Sequence, residues 1–298
     1  MALRRSVHII LNPVAGARNR SLLRDVTARL DRSGVVVTVE ETSGPGDATR
    51  LAQRAALRGE ADVIVAAGGD GTINEVARGL KGQSVPLGII PLGTANVLAI
   101  ELGLRPRGDE VANMLLAGPA RLVGTGLVDD QLFLLMIGIG FDGAVIRGVN
   151  PALKRRFGKG GVIWSGLKVW WRGPGADIRL VVDGREKRAQ WAVVLNGRYF
   201  AGPYVLSRKG DFAMPGLTLF LFQKGSRFAL VRYLIALGLG RVERLSDVEV
   251  LSARRIEVQE NAAVCVEIDG DDHRGHLPLV IEQGRQMLRL VVPQDWKR

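Results

Sequence analysis

A single cysteine, Cys265, stands among 298 residues. One thiol cannot close an intrachain disulfide, so a disulfide-built scaffold is excluded and a reducing, cytoplasmic setting is expected. In the apolar run 262–268 it reads as a small buried hydrophobe. Aromatic residues are scarce at 5%. With no RNA-binding signature and no zinc-finger spacing, nucleic acid is not an expected partner. No apolar run approaches the roughly 20 residues of a membrane-spanning helix. The nearest, residues 228–239, is broken by Arg232 and reads as a packed helix, or as the weaker of two stretches that could touch a membrane surface. At the start, Arg4-Arg5 precede an apolar run of about five residues, shorter than the ~7–15 of a secretory signal, so none is expected.

Acids are in deficit. Forty-one Lys and Arg face 30 Asp and Glu, a formal charge of +11. That excess favours polyanions in general, whether nucleotide phosphates, nucleic acid or an anionic membrane surface. With 47% hydrophobic and 24% charged residues the composition is that of an ordinary globular protein, and the length suggests two domains.

The most informative stretch is Val63-Ile64-Val65-Ala66-Ala67-Gly68-Gly69-Asp70-Gly71-Thr72-Ile73-Asn74-Glu75. A short apolar run ends in glycines around an acid, and a helical pattern of Ile73, Val76, Ala77 and Leu80 follows. Glycines let backbone N–H groups approach an anion, and the first turn of the helix adds partial positive charge. The spacing matches neither G-x-x-x-x-G-K-[ST] nor G-x-G-x-x-G. A tight turn capped by Asp70 would explain the four central residues equally well.

Upstream, strand 7–11 leads into Asn12-Pro13-Val14-Ala15-Gly16, helix 21–33, strand 35–39, and a second helix opening after Thr42. Strands alternating with helices predict a parallel α/β sheet, with ligands bound beyond the strand carboxyl ends. Asn12–Gly16, Thr42 and Gly68–Asn74 should then converge. Strand 86–91 and the turn Leu92-Gly93-Thr94-Ala95-Asn96 repeat the pattern, although Thr94 and Asn96 are also ordinary capping residues. From residue 123 the character changes to short β-like runs, including 121–128, 131–137, 191–196, 217–222, 264–268 and 287–292, which predict an antiparallel sandwich or barrel-like domain.

GGDGTINE together with PLGTANxLA resembles the diacylglycerol-kinase catalytic-domain superfamily, which includes bacterial diacylglycerol kinase-like lipid kinases, sphingosine kinases and ceramide kinases. NAD kinases share GGDGT, but PLGTAN argues against them. The resemblance implies an ATP- and Mg-dependent kinase that phosphorylates a lipid hydroxyl. Diacylglycerol is the leading acceptor, with a sphingoid base or ceramide next, and a catalytically silent lipid-binding protein of the same fold is the alternative from another class. It implies nucleotide contacts at Asn12, Pro13, Gly16, Thr42, Gly68, Gly69, Asp70, Gly71, Thr72, Asn74, Glu75, Gly93, Thr94 and Asn96, with Asp70 the Mg residue. It further implies a nucleotide-binding α/β domain over 1–122 and a β-rich acceptor domain over 123–298, the last residues returning to the first.

In Glu267-Ile268-Asp269-Gly270-Asp271-Asp272-His273, an Asp-Gly turn between strands is a sufficient structural explanation. The resembling lipid kinases carry DGE here, whose acids are held to deprotonate the lipid hydroxyl, so Asp269 and Asp271 inherit that role. Three departures stand out: Val97 where many relatives have aspartate, Asp271 in place of glutamate, and Phe212–Thr218 lacking the acids of a structural Mg segment unless Asp211 substitutes. His273 and His276 read as turn histidines. Residues 154–172, basic and Trp-rich, suit peripheral contact with an anionic inner membrane face, or else form a core stripe with a solvated basic side. Self-association is left open.

Overall fold

A computed structural model describes residues 3–15, 19–148, 159–172, 177–214, 216–259, 264–273, 275, 277–285 and 287–296. The sequence expectations for Gly16, residues 154–157, Pro215 and His276, and for the Trp164 side chain, fall outside what it describes. The chain forms two compact units. One comprises Met1–Thr125, Phe212–Pro215 and Gly284–Arg298; the other comprises Gly126–Asp211 and Gly216–Gln283.

The first unit runs β1 (Ser6–Leu11), α1 (Arg20–Arg32), β2 (Val36–Glu41), α2 (Asp47–Arg58), β3 (Val63–Gly68), α3 (Asp70–Gly79), β4 (Leu87–Pro91), α4 (Val97–Glu101), α5 (Gly108–Ala117) and β5 (Ala120–Val123). Its sheet has the order β2-β1-β3-β4, then strand Leu288–Val291, then β5. All neighbours are parallel except the last pair. The burial of each strand follows its place. β3, in the middle, is buried at every residue, as a continuous apolar run must be when helices cover both faces. β2, at the edge, buries none. α1 turns Leu22, Val26 and Leu30 inward at helical spacing.

The second unit is built of β6 (Gly126–Val128), β7 (Gln131–Phe133), β8 (Met136–Ile139), α6 (Phe141–Arg147), α7 (Lys159–Arg172), β9 (Ile178–Val182), β10 (Arg185–Ala189), β11 (Trp191–Leu195), β12 (Tyr199–Phe200), β13 (Tyr204–Val205), β14 (Leu217–Phe222), α8 (Arg227–Gly238), β15 (Val248–Ala253), β16 (Arg255–Val258), β17 (Val266–Ile268), β18 (Asp271–His273) and β19 (Leu279–Gln283). Two six-stranded antiparallel sheets, β10-β9-β16-β19-β6-β7 and β15-β14-β11-β8-β17-β18, form a sandwich. Alternate residues of each supply one core: Ile178, Leu180, Ile256 and Ile281 from the first, Ile137, Ile139, Val194 and Leu219 from the second.

Two runs read as single strands are broken. Residues 121–128 divide at Gly124-Thr125, β5 joining the first unit's sheet and β6 the sandwich. Residues 131–137 divide at Leu134-Leu135, and the two halves enter different sheets. The cause of that second break is an acid far along the chain, described below.

Candidate active site

Two glycine turns touch in the first unit. A Cβ on Gly93 would stand 2.5 Å from the Gly69 Cα and 2.8 Å from Asn96 Oδ1, so the turn after β4 can lie against the turn after β3 only with glycine there. Gly68 is similarly confined, since a Cβ would meet Thr72 Oγ1 at 2.5 Å. Asn12 Nδ2 donates to the same Thr72 Oγ1 at 3.1 Å, and Asn12 Oδ1 accepts the N–H groups of Val14 and Ala15 at 3.1 and 3.2 Å. The ends of β1, β3 and β4 are therefore pinned together. Asn96 takes a left-handed φ of +48° and donates from Nδ2 to the Gly93 carbonyl at 2.9 Å. Among the described residues, the buried amide oxygens Oδ1 of Asn74 and Asn96 have no hydrogen-bond partner. Thr94 is exposed and Thr42, whose N–H donates to the Leu11 carbonyl at 2.9 Å, is half-buried.

Asp70 lies inside this arrangement. Its Oδ2 accepts the Val97 N–H at 3.1 Å and its Oδ1 the Leu98 N–H at 3.2 Å, both first-turn donors of α4. Burial raises its pKa above the ordinary carboxylate value, against the opposing effect of these N–H groups. The carboxylate expected to hold Mg thus holds α4 to α3. Each oxygen accepts an N–H, which fixes where the carboxylate stands. Among the described residues no group of three or more His, Cys, Asp or Glu could hold a metal ion. Glu75 behaves like Asp70: its oxygens accept the N–H groups of Gly46 and Ala48 at 3.1 and 3.2 Å, and its carbonyl accepts Thr49 Oγ1–H at 2.9 Å. Each acid of α3 therefore caps a neighbouring helix.

In the second unit the turn between β17 and β18 carries Asp269 at φ +51°. Its carboxylate is buried and accepts the N–H groups of Leu134 at 2.8 Å, Leu135 at 2.9 Å and Met136 at 2.9 Å. These bonds capture the backbone donors between β7 and β8, which is why residues 131–137 do not continue as one strand. Asp271, two residues on, is exposed.

Two family models match this chain. Residues 6–128 match the diacylglycerol kinase catalytic domain, and residues 136–292 match the YegS C-terminal NAD kinase beta sandwich-like domain. The chain belongs to the diacylglycerol kinase family of lipid kinases. The kinase is 28% identical to a diacylglycerol kinase of Bacillus subtilis, with 96% of each chain covered. It is 32% identical to a protein of Chromohalobacter salexigens named "Probable lipid kinase YegS-like", with 84% of this chain and 82% of that one covered. A solved diacylglycerol kinase structure from Bacillus anthracis superposes with a TM-score of 0.73 over 99% of both chains at 22% identity, a likeness of fold.

The kinase also holds an acidic pair, Asp142 half-buried and Glu267 buried. Asp142, on α6, accepts the Trp191 indole N–H at 2.9 Å, and burial pushes its carboxyl up to about 7. Glu267, fully buried on β17, is raised well above the ordinary value, first by burial and then by Asp142, Asp269 and Asp271. Its Oε2 accepts the Gly270 N–H at 2.7 Å, bracing the turn that carries Asp269, while Oε1 has no hydrogen-bond partner among the described residues. In the sequence, Asp142 is marked only by its place three residues after the apolar run that ends at Ile139. His273 Nε2 is buried with no hydrogen-bond partner among the described residues.

Proposed function

We propose that this lipid kinase transfers the γ-phosphate of ATP to a hydroxyl of a membrane lipid, diacylglycerol before a sphingoid base or ceramide. The observation that carries the reading is the backbone contact of Gly69 and Gly93. It sets the N-terminus of α3, whose first-turn N–H groups can cradle phosphate, beside the exposed Thr94. Asn12 orients Thr72 from the third strand end, and Thr42 is the remaining nucleotide contact expected. Asp70 and Glu75 act as positioning residues that hold α4 and α2. Mg enters with the nucleotide on this reading and neutralises phosphate charge. Asp271, exposed in its turn, takes the proton of the acceptor hydroxyl, while Asp269 fixes the turn's shape.

The acceptor assignment draws on the names of the full-length relatives, several of which are diacylglycerol kinases. Radiolabelled ATP with Mg and mixed vesicles of diacylglycerol, ceramide and sphingosine test it, with Asp271→Asn as the control. A labelled phosphatidic acid band that vanishes in the variant is expected. Label in another lipid would move the assignment to that acceptor, and no label from a folded protein that binds ATP would refute it.

A further inference from the structure

Helix α8 is apolar on both sides. One side buries Ala229, Leu230, Tyr233, Ala236 and Leu237. Tyr233 packs edge-on against Phe222 with ring centroids 4.8 Å apart, and Phe222 stacks on Trp191 at 4.1 Å. A core-facing helix needs no more than this. Yet Phe228, Val231, Ile235 and Leu239, spaced i, i+3, i+7 and i+11, form a second stripe that faces outward. Phe228 is 90% exposed, Ile235 59% and Leu239 61%. Leu234 flanks them, also exposed.

Helix α7 extends this face. Trp170 Nε1 donates to the Arg227 carbonyl at 3.1 Å, and Arg227 returns a bond to the Trp171 carbonyl at 2.5 Å. The Arg227 guanidinium lies over the Trp171 ring, 5.6 Å from its centroid, while Trp171 itself is 69% exposed. Leu167, one turn earlier, is exposed as well. Around this apolar surface basic side chains predominate: between residues 224 and 247 the sequence has Lys224, Arg227, Arg232, Arg241 and Arg244 against the acids Glu243 and Asp247. All five basic side chains are exposed, Arg232 being paired with Asp247.

We infer that the outward stripe of α8, with Trp171 and Leu167 of α7, is the face by which the kinase docks on a lipid bilayer carrying anionic headgroups. Exposed Phe and Ile enter the acyl boundary, Trp171 sits at headgroup level, and the arginines and lysine meet lipid phosphates. Charge complementarity selects this occupant. A bilayer supplies an apolar layer edged with negative charge, whereas a second copy would bring the same basic rim against itself. The inference deepens the lipid-kinase reading by giving that enzyme a route to a membrane-borne acceptor.

Flotation of the full chain with phosphatidylcholine vesicles, with and without phosphatidylglycerol, tests it. The wild type should float with the anionic vesicles and progressively less as salt rises. Phe228→Asp/Ile235→Asp, two exposed positions, should cut partitioning by roughly tenfold or more at unchanged thermal stability. Arg241→Gln/Arg244→Gln should weaken it less and flatten the salt dependence. Turnover of a short-chain, detergent-free soluble acceptor should be unchanged in the Asp variant, while turnover of vesicle-borne acceptor falls. Undiminished flotation of the folded Asp variant would overturn the proposal. So would a wild type that fails to float, or one whose sedimentation shows a dimer that this variant makes monomeric. Failure with every acceptor, soluble or vesicle-borne, would refute the kinase reading and leave the flotation result standing.

Discussion

Glu267 Oε1 and Asp142 Oδ2 close on one point above Gly138: a Cβ there would lie 2.8 Å from the first and 2.9 Å from the second. Two carboxyls so placed, one half-buried and one buried, cannot both carry charge cheaply, and the pair favours retaining a proton. The missing side chain of Gly138 is what lets them approach.

This pair predicts a pH dependence of stability. Asp142 is raised to about 7 and Glu267 well above its usual value, so the folded state holds protons that the unfolded chain releases near pH 4. The stabilisation is complete below that lower pH and is lost as pH rises through the folded values. For a shift of Asp142's size the loss is at most about 4 kcal/mol. Glu267→Gln keeps the acceptor for the Gly270 N–H and removes one titration. Urea midpoints from pH 4 to 9 should fall less steeply in the variant than in the wild type; parallel curves would dismiss the pair.

Asp269 and Asp271 should separate by consequence. Asp269→Ala leaves three backbone N–H groups without their acceptor, at a cost of about 1–3 kcal/mol for each one that stays dry. A large drop in melting temperature is expected. Asp271→Ala, at an exposed position, should leave melting unchanged and remove lipid phosphorylation. Retained turnover in Asp271→Ala would reassign the base.

Gly93→Ala brings a methyl to 2.5 Å from the Gly69 Cα. The two turns must part, so nucleotide affinity should fall by at least tenfold, with roughly 1–3 kcal/mol of stability lost to overpacking. Isothermal titration with a non-hydrolysable ATP analogue reads the first effect and urea denaturation the second. Unaltered affinity would mean that the contact does not shape the site.

Glu75→Ala removes the acceptor for two donors at the start of α2 and should cost about 1–2 kcal/mol. Because both oxygens serve α2, affinity for the same ATP analogue should change little. A large loss of affinity without loss of stability would place Glu75 on the nucleotide instead.

Local pattern and chemistry in the chain were enough for the α/β order of the first unit, the β-rich second part, and the glycine turns. Strand and helix periods are written in consecutive residues, and GGDGT and PLGTAN need particular backbone freedom wherever they fold. What each acid does was decided only in three dimensions. Asp70 meets Val97 and Leu98, Glu75 meets Gly46 and Ala48, and Asp269 meets Leu134–Met136 across more than 130 residues of chain. A carboxylate in sequence shows its charge but not its hydrogen-bond donors. Helix 227–238 makes the same point: its apolar residues read as a packed helix or a membrane contact, and only the sheet beneath it determines that Tyr233 is covered while Phe228 is not. Burial depends on which neighbours the tertiary fold supplies, and a one-dimensional pattern holds no record of them.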